Sequence, residues 1–218
     1  MKWVYKSFLL LSIFLLISCA SGHKIKYHDT VASISTSGSI TITVTTHDQR
    51  QYILSGESTP DYVGLNRGGL SAVPFKPHSV ATESGKPLAE DITTSICNSL
   101  AAKGFRTVAV NAIPSEDKNK ILAKMKEVKG DRLLLLTLYE WQSDTYMNTG
   151  LFYNMKFEVF DMNGNKLTEK IMKGEDNLGH GDDSFGLTIV KMQKIIPKVF
   201  KDKIEVLLNN KDVVETLK

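Results

Sequence analysis

The sequence carries little net charge. Its 27 basic and 24 acidic side chains over 218 residues give +3. Residues 1–18 hold Lys2 and Lys6 and no acid, so without them 25 basic groups face 24 acidic ones and the net charge is +1. A balance this even leaves no basic footprint for nucleic acid. Cysteine is equally scarce, with Cys19 and Cys97 the two in the chain. The apolar run from Phe8 to Ile17, broken by Ser12, falls short of the roughly 20 residues that span a bilayer. No serine sits in a Gly-x-Ser-x-Gly elbow. Glu83-Ser84-Gly85-Lys86-Pro87 fails as a phosphate loop, because Val80 stands at the first glycine and Pro87 replaces the magnesium-binding Ser or Thr. His47-Asp48 and His180-Gly181-Asp182-Asp183 are dense in ligand types. Their spacing fits no known ligand helix or knuckle, and the same residues make polar turns. Catalytic, metal and cofactor sites are therefore all expected to be absent. There is no internal repeat and no low-complexity tract.

What is present begins at the amino terminus. Lys2 and Lys6 precede a short apolar core, and Leu16-Ile17-Ser18-Cys19 closes it with small residues. That order makes a secretory signal peptide. Leu16-Ile17-Ser18-Cys19 resembles the lipobox of bacterial lipoproteins. There the cysteine thiol takes diacylglycerol, the chain is cut before it, and the new amino terminus is acylated. Several acyl chains on Cys19 would hold the protein stably, where one chain binds only marginally. Ala20 and Ser21 follow in place of the Asp that favours inner-membrane retention. The resemblance implies an outer-membrane anchor with the domain facing the periplasm. With Cys19 acylated, Cys97 has no disulfide partner, and it reads as a small buried apolar residue.

The expected organisation is a signal peptide over 1–18, a lipidated flexible tether over 19–37 and one periplasmic domain over 38–218. Residues 20–37 are rich in Ser, Thr, Gly and His, as linkers are. Ser39 to Val44 alternates as a half-buried strand. Residues 55–86, punctuated by glycine and proline, read as a long loop, a kind of segment that is often functional. Leu88, Ile92, Ile96 and Leu100 form a helical stripe opened by Pro87 and closed near Gly104. A short strand follows over 105–112, then a lysine-rich helix. Leu133 to Leu136 reads as a central strand covered on both faces. The segments 151–160 and 166–173 form a hairpin about Asn163-Gly164, and 176–185 a polar loop. A last helix over roughly 186–208 has Pro197 as a kink or break. Lys191, Lys194, Lys198 and Lys201 stripe it opposite its apolar face. The stripe reads first as a solvated surface, and second as a contact for anionic headgroups or an acidic partner. The predicted class is α+β, a two-layer mixed sheet of about five strands with three helices in the order β-α-β-α-β-β-β-α.

With a lipobox in front, this order resembles the YajG-like family of uncharacterised bacterial lipoproteins. Thr46-His47-Asp48-Gln49-Arg50 is similar to the family's Asp-x-Arg ending of the first strand. Gly64-Leu65-Asn66-Arg67 follows as in the family, and the helix closing Leu-Ala-Ala-Lys-Gly-Phe at Phe105 is also similar. The resemblance covers roughly 38–205. The order also looks like the amino-terminal domain of TolB and like lipoprotein activators of cell-wall synthases, which bind partners and catalyse nothing. These likenesses imply a non-enzymatic protein, anchored to the membrane through Cys19, that binds a protein or envelope component. The long loop, through Tyr62, Arg67 and Phe75, is the expected contact surface. The alternatives are a carrier of a small lipid or glycan, with a pocket under that loop, and a hydrolase with dispersed catalytic residues around His47 or His180.

Overall fold

A computed structural model describes residues 23–67, 77–146, 148–180 and 185–218. Cys19, the expected signal peptide and Phe75 lie outside these residues. The described chain runs β1 (Lys24–Ile25), β2 (Thr41–Asp48), α1 (Gln51–Leu54), β3 (Tyr62–Asn66), β4 (His78–Thr82), α2 (Leu88–Ala101), β5 (Arg106–Ala109), α3 (Lys118–Glu127), β6 (Arg132–Thr145), β7 (Asn148–Phe160), β8 (Lys166–His180), α4 (Phe185–Leu208) and α5 (Lys211–Thr216). The α+β class is as expected, but eight strands replace the expected five and five helices the expected three.

β6 organises the sheet. One edge pairs antiparallel with β7 along its length, from Leu133↔Phe160 to Thr145↔Thr149. The other edge is shared. β2 pairs parallel with its first half, from Ile42↔Arg132 to Asp48↔Leu138. β3 pairs parallel with its end, from Gly64↔Ser143 to Asn66↔Thr145. The sheet therefore forks: β5 extends the β2 branch, and β4 then β1 extend the β3 branch. Gly64 permits the second branch. A Cβ there would lie 2.4 Å from the Ser143 carbonyl oxygen, so only glycine lets β3 approach β6. The segment expected as one long loop thus contributes α1, β3 and β4.

Alternation on β6 explains the layers. Leu134, Leu136, Leu138 and Trp141 face one way, into a core shared with Leu88, Ile92, Ile96 and Leu100 of α2 and Ile196, Phe200 and Ile204 of α4. Leu133 and Leu135 face the other way, against Ile121, Leu122 and Met125 of α3. Helices cover both faces, and this corrects the two-layer expectation while bearing out the doubly covered central strand. The predicted α2 stripe is fully buried, each such side chain contributing about 1.5–3 kcal/mol. Cys97 is buried and free, and burial raises its thiol pKa to about 11, as suits a small core residue. At the hairpin, Gly164 takes φ +92, as the turn requires. Two elements differ from expectation in extent. β8 runs on to His180 because β7 pairs with it that far. α4 continues through Pro197.

The expected tether is not one over its described part. Ile25, Tyr27, Ala32 and Ile34 are all buried in the main core. The Tyr27 ring meets Trp141 and Phe200 edge-on at 6.3 and 5.2 Å, and Trp141 Nε1 donates to its hydroxyl at 3.0 Å. Ser33 N donates to Glu205 and Ser35 N to Asn209, so the segment is tied to the far end of the chain. Linker-like composition misled because four apolar residues suffice when a groove between α2 and α4 receives them.

Candidate functional site

The fork leaves a gap where β2 departs from β6, and Arg50 fills it. β2 ends at Asp48, and the next amide, Gln49 N, still donates to Leu138 O. The Arg50 side chain is fully buried, and its planar fork offers five N–H donors. Nε and Nη2 meet the two Asp48 oxygens at 2.9 and 2.7 Å. Nη1 reaches the carbonyls of Tyr62 and Trp141 at 2.6 and 3.3 Å, and Nη2 reaches that of Pro60 at 3.3 Å. One side chain thereby ties β2, the approach to β3, and β6 together. The Asp-x-Arg pair is a structural clamp.

On the outward side of this clamp the pairing of β6 with β7 slips between Leu138 and Glu140, and Tyr139 is the extra residue. Such bulges re-aim side chains. Tyr139 is 39% exposed. The Tyr52 hydroxyl lies 3.0 Å from Glu140 Oε1 and 3.2 Å from Trp141 O. Burial raises the pKa of Glu140, opposed by that hydrogen bond and by Arg50. Beyond the reach of α3, Tyr139, Glu140, Gln142, Phe152, Asn154 and Lys173 surround an open hollow of about 450 Å³ on the outer sheet face. Its walls alternate aromatic, amide and charged groups, a lining suited to holding a ligand by stacking and hydrogen bonds. This site was not foreseen. The available signal was Phe152, an aromatic that shares the outward face of β7 with Asn154, Lys156 and Glu158.

Of the expected contact residues, Tyr62 and Arg67 are described and take different surroundings. Tyr62 is 6% exposed and packs edge-on against Tyr52 at 5.4 Å, so it belongs to the core. Arg67 is exposed and forms a fork-to-fork pair with Asp144 at 2.8 and 2.7 Å. Phase-wise neighbours of the loop's ends enclose a cavity of only about 20 Å³, lined by His23, Asn66, Val80, Ser143 and Met192 among others. That is room for about one water. His47, a candidate for hydrolysis, is 5% exposed and has its Nε2 between Gln49 Nε2 at 2.8 Å and Pro114 O at 3.2 Å. Burial lowers its pKa. These contacts brace β2 against the turn before α3. The side chain of His180 lies outside the described residues.

A second polar cluster joins the amino-terminal segment to α2. Asp91 is buried; Ser84 Oγ donates to its Oδ1 at 2.7 Å. Its Oδ2 and His28 Nδ1 face each other at 3.8 Å, and neither has a hydrogen-bond partner among the described residues. Burial raises the Asp91 pKa. A raised carboxyl pKa means that the folded state holds its proton more tightly than the unfolded chain. Stability is therefore lost as pH rises from the ordinary aspartate range, near 4, through the raised value. Asp91→Asn keeps the acceptor for Ser84 and removes the charge. It should raise the melting temperature at pH 7 by a few degrees, with the gain shrinking toward pH ~3. Melting curves at both pH values check this; a lower melting temperature at pH 7 would refute it.

No family model matches the sequence, and no curated protein matches it. Solved structures of low identity overlay on the chain. A DUF330 protein from Xanthomonas campestris covers 85% of this chain and 91% of its own, at 9% identity and TM-score 0.45. Lipoprotein GNA1162 from Neisseria meningitidis covers 74% and 98%, at 13% identity and TM-score 0.28. The LpoB C-terminal domain from Salmonella enterica covers 66% and 87%, at 10% identity and TM-score 0.32. Bacterial proteins, one of them named a lipoprotein, thus stand among the chains that this fold is similar to. The resemblance to the YajG-like family rests on its three sequence motifs. Among the described residues, no helix is long and apolar enough to cross a membrane.

Proposed function

We propose that this chain is a non-enzymatic envelope lipoprotein, anchored through Cys19 in the outer membrane, whose periplasmic domain binds an envelope component at the hollow beside Tyr139. The observation that carries the binding reading is the hollow itself. It is open, of ligand size, and supported from behind by the Arg50 clamp, which holds the backbone at Trp141, next to Glu140. The anchor reading is supported by the lipobox-like Leu16-Ile17-Ser18-Cys19. Of the carrier alternatives, a glycan fits better than a lipid. The lining mixes Gln142, Asn154, Glu140 and Lys173 with Phe152 and Tyr139, whereas an acyl chain needs enclosed apolar walls.

A photo-crosslinking residue at Tyr139 in intact cells tests the binding site. It should give discrete adducts that the same residue at Val206, an exposed position on α4, does not. Equal labelling from both sites would sink the hollow as the binding face. Separately, Cys19→Ser should shift the protein wholly from the detergent phase to the aqueous phase on Triton X-114 partitioning. Unchanged partitioning would refute acylation at Cys19.

A further inference from the structure

The structure shortens the leash between lipid and domain. His23 already belongs to the fold: its carbonyl accepts from Ala81 N at 2.9 Å. Only four peptide links separate it from Cys19, a span of at most about 14 Å. An acylated Cys19 therefore holds the domain close to the membrane, and its point of attachment fixes which side lies nearest. His23 and Lys24 line a cavity together with Met192, Gln193 and Ile196 of α4. The chain thus leaves the domain beside the first half of that helix.

There the outer surface is basic. Lys191, Lys194 and Lys198 are exposed, and Lys201 is 40% exposed. The four lie on the side of α4 opposite Met192, Ile196, Phe200 and Ile204, which are buried. Ten residues of helix extend about 15 Å, so the stripe is about as long as the leash can reach. From Phe185 to Lys201 the helix carries no acidic residue; Asp202 is the first. At the far end of the stripe Lys201 lies 3.7 Å from Glu205. Lys24, on β1 beside the exit point, is also exposed.

We propose that the lysine face of α4, with Lys24, docks on the anionic phospholipid headgroups of the membrane that holds Cys19. The lipid supplies attachment and the lysines supply orientation. The face suits a lipid surface because the leash permits that surface to reach it and because Lys194, Lys198 and Lys201 stand on a helix with no acidic residue from Phe185 to Lys201. Each lysine near an anionic surface strengthens attachment about fivefold. α3 and the hollow lie on the other face of the sheet, so docking would turn the hollow away from the lipid and toward the periplasm. This inference rests on acylation of Cys19.

The mature acylated chain, reconstituted in vesicles of phosphatidylcholine alone or with phosphatidylglycerol, tests it. Single cysteines at Lys194 and Lys198, with Ala123→Cys on α3 as the reference, are labelled with a water-soluble maleimide. On anionic vesicles the rates at 194 and 198 should fall at least fivefold relative to neutral vesicles, while that at 123 stays unchanged. High salt should restore them, since it screens the attraction. The triple variant Lys191→Glu, Lys198→Glu, Lys201→Glu, checked for a native circular dichroism spectrum, should show no protection at position 194. Equal rates at 194 on both vesicles, with the protein still bound to them, would overturn docking and leave the anchor standing. Failure of the mature chain to bind vesicles at all would overturn both.

Discussion

Arg50→Ala is expected to destabilise the domain by about 3–5 kcal/mol, the cost of leaving a buried ionic partner uncompensated. Three losses combine. Asp48, 2% exposed, loses its bidentate partner. The carbonyls of Pro60, Tyr62 and Trp141 lose a donor in a place where water has little access. The fork in the sheet loses the group that spans it. A total stability of about 5–15 kcal/mol makes this a large fraction. Urea unfolding of the variant should show a much lower midpoint. Arg50→Lys should recover only part, because an ammonium cannot meet both Asp48 oxygens and three carbonyls together. The double change Asp48→Leu with Arg50→Met should be milder than Arg50→Ala, since it buries no orphaned charge. A midpoint shift worth less than about 1 kcal/mol for Arg50→Ala would mean that the clamp holds nothing.

The second large effect concerns the amino-terminal segment. A chain lacking residues 23–37 should fail to fold. A mere tether would be dispensable, so the two views give opposite results. Ile25, Tyr27 and Ile34 are each 2% exposed or less, and burying each contributes about 1.5–3 kcal/mol. Their removal also strips Trp141 Nε1 of its partner and exposes the α2–α4 groove. The sum approaches the whole stability of a typical domain. In the full chain, Tyr27→Ala alone should cost about 3–5 kcal/mol, measured by thermal or denaturant unfolding. A truncated chain with native near-ultraviolet dichroism would show that the segment only decorates the core.

Much of the fold was legible where one face alone decides the pattern. Leu88, Ile92, Ile96 and Leu100 announce a helix on a core, and Leu133 to Leu136 announce a strand covered twice. Asn163-Gly164 names its own turn. Legibility failed where pairing comes from a distant partner. β1 is two residues long and exists because β4 offers an edge. β3 contains Gly64, which reads as a breaker until Ser143 is seen behind it. Asp176 to His180 reads as part of a polar loop, yet β7 provides a ladder for it. Asp48 and Arg50 stand two apart in the sequence, but the three carbonyls that complete their contact come from elsewhere in the chain. The hollow escaped notice because it depends on a bulge at Tyr139, and bulges leave little trace in composition. Tyr62 and Arg67 are close in sequence, yet the first turns inward and the second pairs outward with Asp144.

The tie between the two ends of the chain has a consequence for the order of events after synthesis. Tyr27 touches Phe200, and Ser33 and Ser35 are bonded to residues more than 170 positions away. The amino-terminal residues cannot reach their places until α4 exists beside them. A chain that emerges amino terminus first must therefore leave Ile25, Tyr27 and Ile34 uncovered until nearly its last residue has appeared. Such long-range closure slows folding and prolongs exposure of sticky surface. Delay of this kind would suit the proposed export, because a chain threaded across a membrane has to stay unfolded during transit. Its first residues are made early and meet their own core last.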